Sequence, residues 1–160
     1  MAPLTDTLCL QCGLCCNGVL FADVRPEAGD RSPLFAGRSR VSQPCPAFAA
    51  HDCTCAIYAE RPRRCRQFEC HQLLGVRVGE ITVAAALRRI AKARRLAAKV
   101  EKHLVVLGYN NVKLPLKRRF QNCQRAAEAG KLDASQYAPL ADLQLAMHRL
   151  TQLLAEEFYG

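Results

Sequence analysis

Four cysteines fall within eight residues, Cys9-x2-Cys12-x2-Cys15-Cys16, and Cys45, Cys53, Cys55, Cys65 and Cys70 follow, so nine of the ten cysteines lie in the first 70 of 160 residues. Thiolates at this density are suited to gripping metal. Cysteines three apart in a turn or helix bring their sulfurs to one side, so Cys9, Cys12 and Cys15 can converge on one centre. Cys15 and Cys16 cannot do so as easily, because adjacent side chains diverge by about 100° on a helix and about 180° on a strand. The simplest use of such a pair is to feed two neighbouring centres, or to let one thiolate bridge while the other terminates. One zinc takes about four ligands, so the thiolates of this region would serve two sites. Two metal sites or one polynuclear cluster is the sharper expectation; the plainer one is a single four-cysteine zinc knot with further buried thiols.

A disulfide framework is the rival explanation, and it belongs to small secreted domains that cannot build a core. The stretch from Met1 to Leu8 contains Pro3, Thr5, Asp6 and Thr7, with no basic start and no long apolar run, so a cytoplasmic location with reduced thiols is expected. The chain is 50% hydrophobic, enough for one ordinary domain without staples. Clustering also argues for metal, since a framework would spread its bridges over the whole fold. No apolar segment approaches the roughly 20 residues of a membrane span, so no membrane partner is expected. The C-x2-C-x2-C run with a distant Cys45-Pro46 is similar to a ferredoxin arrangement, although the separation to Cys45 differs and Cys16 has no place in it. All-sulfur ligation suits zinc and iron-sulfur clusters alike, so the expected cofactor is zinc or iron, an iron-sulfur cluster included.

The string Cys55-Ala56-Ile57-Tyr58-Ala59-Glu60-Arg61-Pro62-Arg63-Arg64-Cys65-Arg66-Gln67-Phe68-Glu69-Cys70 completes a pattern with Cys9-x2-Cys12-Gly13-x-Cys15-Cys16 and Cys45-Pro46. Residues 9 to 70 resemble, in order, the YkgJ-type CxxCxxCC cysteine-cluster family, described as a zinc- or iron-chelating domain. The resemblance implies Cys9, Cys12, Cys15, Cys16, Cys45, Cys55 and Cys65 as chelators, with Cys70 at a more variable last position. Cys53 creates a Cys-x-Cys outside the core pattern and is either a ninth ligand or a bystander. The family is defined by its cysteines rather than by one reaction. Flagellin lysine methylases contain a similar cluster, but this chain has no Gly-rich turn after a strand and no room for a large extra domain, so methylation is not carried over.

Around the motif, Arg61, Arg63, Arg64 and Arg66 are placed to offset the charge of about −2 that four thiolates leave on a divalent ion. Arg61 is the first candidate, because Pro62 holds it extended; Arg66 is a second, while Arg63 and Arg64 read more plainly as solvated. Tyr58 and Phe68 are expected to pack over the cluster. His51 and His71 lie near cysteines but compete with many thiolates. His103 and His148 read as surface or packing residues, and Cys123 as a small buried apolar residue.

The elements that must position these residues differ between the halves. Residues 1–79 form a turn-rich cysteine module punctuated by Pro26, Gly29, Pro33, Gly37, Pro44 and Pro46, with short strands expected around Val19 to Phe21 and Arg38 to Val41. Pro62 suits the start of a helix running toward Leu74, with Gly75 as its stop. Residues 80–160 should be helical and packed on the module as one compact domain, giving an α-rich fold with little strand. Val83, Leu87, Ile90, Ala97, Val100, Leu104 and Leu107 predict a helix over 81–107 ended by Gly108, and a second runs from Leu116 to Ala129 before Gly130. A third begins near Pro139, with Leu140, Leu143, Met147, Leu150, Leu154 and Phe158 as its apolar stripe.

Charge divides the same way: residues 1–79 carry nine basic against seven acidic side chains, and residues 80–160 carry fourteen against seven. Arg88, Lys92, Arg95, Lys99 and Lys102 fall at steps of four and three and share one helical face; Lys117, Arg118 and Arg119 form a second basic cluster. Such a stripe can track a phosphate backbone or an acidic protein, although a solvated face is its commoner meaning and no aromatic residue is there to stack on bases. Three functional classes follow: a closed metal module whose role lies in a partner surface, an iron-dependent or iron-sulfur redox enzyme with an exchangeable position, and a nucleic-acid binder using the basic helix. The sequence carries no signal for a substrate or an oligomeric state.

Overall fold

The computed structural model describes residues 4–159; Pro3, one of the residues behind the non-secretory reading, lies outside them with Met1, Ala2 and Gly160. The chain is 54% helical and 5% strand. Its elements run α1 (Leu4–Cys12), β1 (Asp23–Val24), β2 (Val41–Ser42), β3 (Phe48–Ala49), β4 (Thr54–Cys55), a 3-10 turn (Tyr58–Glu60), α2 (Arg63–Gln67), α3 (His71–Arg77), α4 (Val83–Val106), α5 (Leu116–Glu128), a second 3-10 turn (Ala134–Gln136) and α6 (Tyr137–Glu157).

The long helix α4 is the beam on which the rest rests. Thr82 caps it by accepting a hydrogen bond from the Ala85 amide at 3.1 Å, and Gly108, at φ +85°, turns the chain away at its far end. Ala86, Ile90, Ala93, Ala97, Val100 and Leu104 are buried along one face. Small residues in that row let α6 lie close along it, burying Leu140, Leu143, Ala146, Leu150, Leu153 and Leu154. Met147, expected in this stripe, is only half-buried, and Ala146 and Leu153 take the deeper positions.

One contiguous buried cluster joins both halves of the sequence: Leu8, Cys12, Leu14, Leu20 and Leu73 pack with the α4 and α6 residues. Polar ties reinforce this seam. The Tyr159 hydroxyl donates to the Leu20 carbonyl at 2.6 Å, the His71 amide donates to the Phe158 carbonyl at 3.2 Å, and the buried Gln72 side chain donates to the Glu157 carbonyl. Among the described residues no helix is long and apolar enough to cross a membrane.

Several local expectations need correction. Val19 to Phe21 is not a strand, because the Leu20 amide turns back to the Leu14 carbonyl at 3.0 Å and its side chain enters the core. The strand that does form is Asp23–Val24, antiparallel to Val41–Ser42, so the expected second strand survives only at Val41. A second two-residue ladder pairs Phe48 with Cys55 and Ala49 with Thr54. The helix expected from Pro62 toward Leu74 breaks after Gln67, where Phe68 becomes extended, and Gly75 lies buried inside α3 rather than ending it. A Cβ on Gly75 would meet the Ile81 side chain at 3.1 Å, so close packing explains this glycine; Gly79, at φ +79°, makes the turn instead.

Leu143 is fully buried on α6, whereas Leu145 two residues on is 49% exposed. Leu143→Ala should therefore cost about 2–5 kcal/mol of unfolding free energy in urea, and Leu145→Ala within about 0.5 kcal/mol of none.

Candidate metal centre

The cysteine motif begins on α1. Cys9 and Cys12 occupy its last turn, and Gly13 then adopts φ +66° with its amide donating to the Cys9 carbonyl at 3.2 Å. A Cβ at Gly13 would come within 2.8 Å of the Phe48 ring and 3.2 Å of the Cys53 sulfur. Both the left-handed backbone and the close approach of β3 therefore demand glycine here. The Cys16 and Asn17 amides donate to the Gly13 carbonyl, forming a tight turn that carries Cys15 and Cys16. The Cys16 carbonyl accepts from the Cys45 amide at 2.8 Å, which pins the second cysteine segment to the first. Cys55 comes from β4, and Cys65 from the middle of α2.

All ten cysteines are free thiols. Their mutual electrostatics form two overlapping groups among the nine motif cysteines. In the first, Cys15 is opposed by charge on Cys12, on its neighbour Cys16, and on Cys70 and Cys9, and Cys12 by charge on Cys70, Cys9 and Cys53. In the second, Cys16 is opposed by Cys45, Cys65 and Cys55, and Cys65 by Cys45 and Cys55. Cys9 reaches Cys16 as well and so stands where the groups meet. The adjacent pair Cys15-Cys16 links them, since the Cys16 charge acts on Cys15 while their further partners differ. The break between α2 and α3 matters here: Cys70, which a continuous helix would turn well away from Cys65, caps α3 and joins the first group.

Withdrawal from water is the main influence on these thiols. It pushes Cys12 and Cys16 up to about 12 and Cys9 and Cys65 up to about 11, although Cys9 and Cys65 are exposed as whole residues. Cys15 is pushed well above the ordinary thiol value and Cys45 above it, again mainly by burial. Burial therefore favours the neutral thiol near pH 7 at Cys9, Cys12, Cys15, Cys16, Cys45 and Cys65. Among the described residues, no three His, Cys, Asp or Glu side chains converge closely enough to hold a metal ion as they stand.

Arg61 is a cation that acts on both groups, since its charge lowers the pKa of Cys9 in one and of Cys65 in the other. Its guanidinium lies 3.8 Å over the Tyr58 ring, and the Tyr58 hydroxyl donates to Asp6 on α1 at 2.6 Å. The Arg61 Nε is buried and has no hydrogen-bond partner among the described residues. The other arginines face elsewhere: the Arg63 amide donates to Asp30 at 2.9 Å, Arg64 pairs with Glu27 at 3.1 Å, and Arg66 is exposed and adds to the charge acting on Asp30. Phe68 packs edge-on against Phe21, with ring centroids 4.8 Å apart. His51 and His71 are exposed, His51 lying 3.3 Å from Asp52. Cys123 is fully buried on α5.

Arg88, Lys92, Arg95, Lys99 and Lys102 are all exposed on α4, and none forms a salt bridge among the described residues. Arg119 does not belong to a basic surface cluster, because it is 3% exposed and binds the Tyr109 carbonyl at 2.9 Å and Glu101 at 3.0 Å. Asp6 and Arg94, which donates to the Gln11 carbonyl at 2.8 Å, were not singled out from sequence; each acts on a residue far away along the chain. No protein-family model, curated protein or solved structure matches the chain.

Gly13 and Gly37 share left-handed backbone, but a Cβ on Gly37 would meet nothing within 4 Å. Gly37→Ala should cost about 1–2 kcal/mol from the backbone alone, and Gly13→Ala roughly 1–3 kcal/mol more from overpacking, measured by denaturant unfolding of the metal-free protein.

Proposed function

We propose that the chain is a thiolate metal-binding protein in which residues 9 to 70 hold zinc or iron at two adjoining centres, of the kind that the resemblance to the YkgJ-type cysteine-cluster family implies. The observation that supports this reading is that motif thiols from separate segments act on one another's charge, with Cys15 and Cys16 coupled to each other but having largely different further partners. Cys9, Cys12, Cys15 and Cys70 would serve one centre, and Cys16, Cys45, Cys55 and Cys65 the other. Cys53 stands beside the first as a further candidate donor. Four thiolates per centre match the demand of tetrahedral zinc and of iron-sulfur clusters. Binding would draw together sulfurs that the metal-free fold leaves apart, and each thiol would lose its proton on ligation. Loading would therefore release protons and strengthen as pH rises.

The unpartnered Nε of Arg61 also supports the reading, since a buried donor with no acceptor is costly. Thiolate sulfur on either side would supply that acceptor, and the guanidinium charge would offset the excess negative charge of the centres.

Metal content, measured by elemental analysis on protein purified without oxygen, tests the division. Cys12→Ser and Cys65→Ser should each lose about half of the bound metal, and Cys123→Ser none. Full occupancy in both motif variants would overturn the two-centre assignment. An absorption spectrum on the same samples separates colourless zinc protein from iron-sulfur protein.

Arg61→Ala should weaken metal retention against a chelator by roughly tenfold, the scale of losing a charged neighbour of a metal site. Arg64→Ala, which removes only an exposed pair with Glu27, should leave retention unchanged.

A further inference from the structure

Beside the first thiol group lies an open groove of about 460 Å³ between α4, the end of α1 and the turn that joins β3 to β4. Its apolar lining is Leu10, Leu87, Ala91 and the buried Ile90. Its basic lining is Arg94 and Arg95 from α4, with His51 also in the wall. The hydrogen bond from Arg94 to the Gln11 carbonyl holds one guanidinium in place, and Arg95 has no salt-bridge partner among the described residues. The one carboxylate in the lining, Asp52, already accepts from the Thr54 hydroxyl at 2.6 Å and the Thr54 amide at 3.1 Å and lies against His51. Two neighbouring cations beside an apolar lining fit an anion with an apolar body.

Cys53 connects this groove to the thiols. It lines the groove, its charge acts on Cys12, and it is the one non-glycine residue with positive φ, at +58°, among the described residues. That conformation is uncommon outside glycine, and such residues concentrate at functional sites.

We propose that the groove binds a small organic carboxylate, with Arg95 holding the carboxylate, Arg94 adding positive charge beside it, and Leu10 and Leu87 receiving the apolar body, beside the centre built on Cys12. That this neighbour is a metal centre rests on the function proposed above; the affinity of the groove for a carboxylate does not. An inorganic anion would leave the apolar lining uncovered, so the organic ligand should bind more tightly.

Titration with 2-naphthoate, followed by its own fluorescence, tests the proposal in a protein that contains no tryptophan. Saturable binding that Arg95→Ala weakens about tenfold, and that Lys99→Ala/Lys102→Ala on the same helix leaves unchanged, is the expected result. Absence of saturable binding, or equal weakening by the two variants, overturns it, because the second would mean general attraction to a basic helix. Competition by inorganic phosphate at the same concentration as naphthoate would also overturn it. Metal analysis of the same samples keeps the two readings apart. Binding of naphthoate by protein that takes up no metal leaves the groove standing and removes the centre; metal-loaded protein that ignores naphthoate does the reverse.

Discussion

Two adjacent side chains cannot easily point into the same small site, and Cys15 and Cys16 impose that constraint on everything around them. With the two thiols serving different centres, as proposed, two sets of partners must arrive from elsewhere in the chain. Gly13 makes the turn after α1 by adopting a conformation other residues resist, under a phenylalanine ring that leaves no space for a Cβ. Cys45 is fixed to the far side of the turn through the Cys16 carbonyl. Cys70 reaches the near side only because the helical run from Pro62 is broken and restarted. A continuous helix would have preserved more backbone hydrogen bonds and separated Cys70 from its group.

An irregular segment so poor in regular structure needs an external support, and the helical half supplies it. α1 lies against α4, and Leu8, Cys12 and Leu14 are buried in the same core as Ile90 and Leu143. The cysteine turn is thereby fixed to the most regular element of the molecule, while the thiols stay at its edge. Burial favours the neutral form at Cys12, Cys15 and Cys16, which lessens their mutual repulsion. Arg61, stacked on Tyr58 and tied through it to Asp6, brings positive charge to the place where the groups meet.

The helices were legible in the sequence because their signals are local. Apolar spacing outlined α4 and α6, and Gly108 and Gly130 marked the turns after α4 and α5. The short ladders were not legible, since two-residue strands carry no alternation and Leu20 is held by Leu14 rather than by a strand neighbour. Gly75 misled because a glycine in a helix can mean a stop or a close neighbour, and Ile81 decided the matter from outside the helix. Arg119 misled in the same way: beside Lys117 and Arg118 it reads as surface charge, but its partners Tyr109 and Glu101 make it a buried tie. For the candidate site, the gathering of Cys9, Cys12 and Cys15 could be read from their spacing. The membership of Cys70, the tie from Tyr58 to Asp6 and the groove by Cys53 depend on contacts between distant segments.

The central claim is that the motif thiols act together as metal ligands. X-ray absorption at the metal edge of protein purified without oxygen tests it most directly, because it counts the atoms bound to the metal and identifies them. The account predicts a first shell made of sulfur, at about 2.3 Å if the metal is zinc. A shell dominated by oxygen or nitrogen, or a protein that retains no metal, would contradict it.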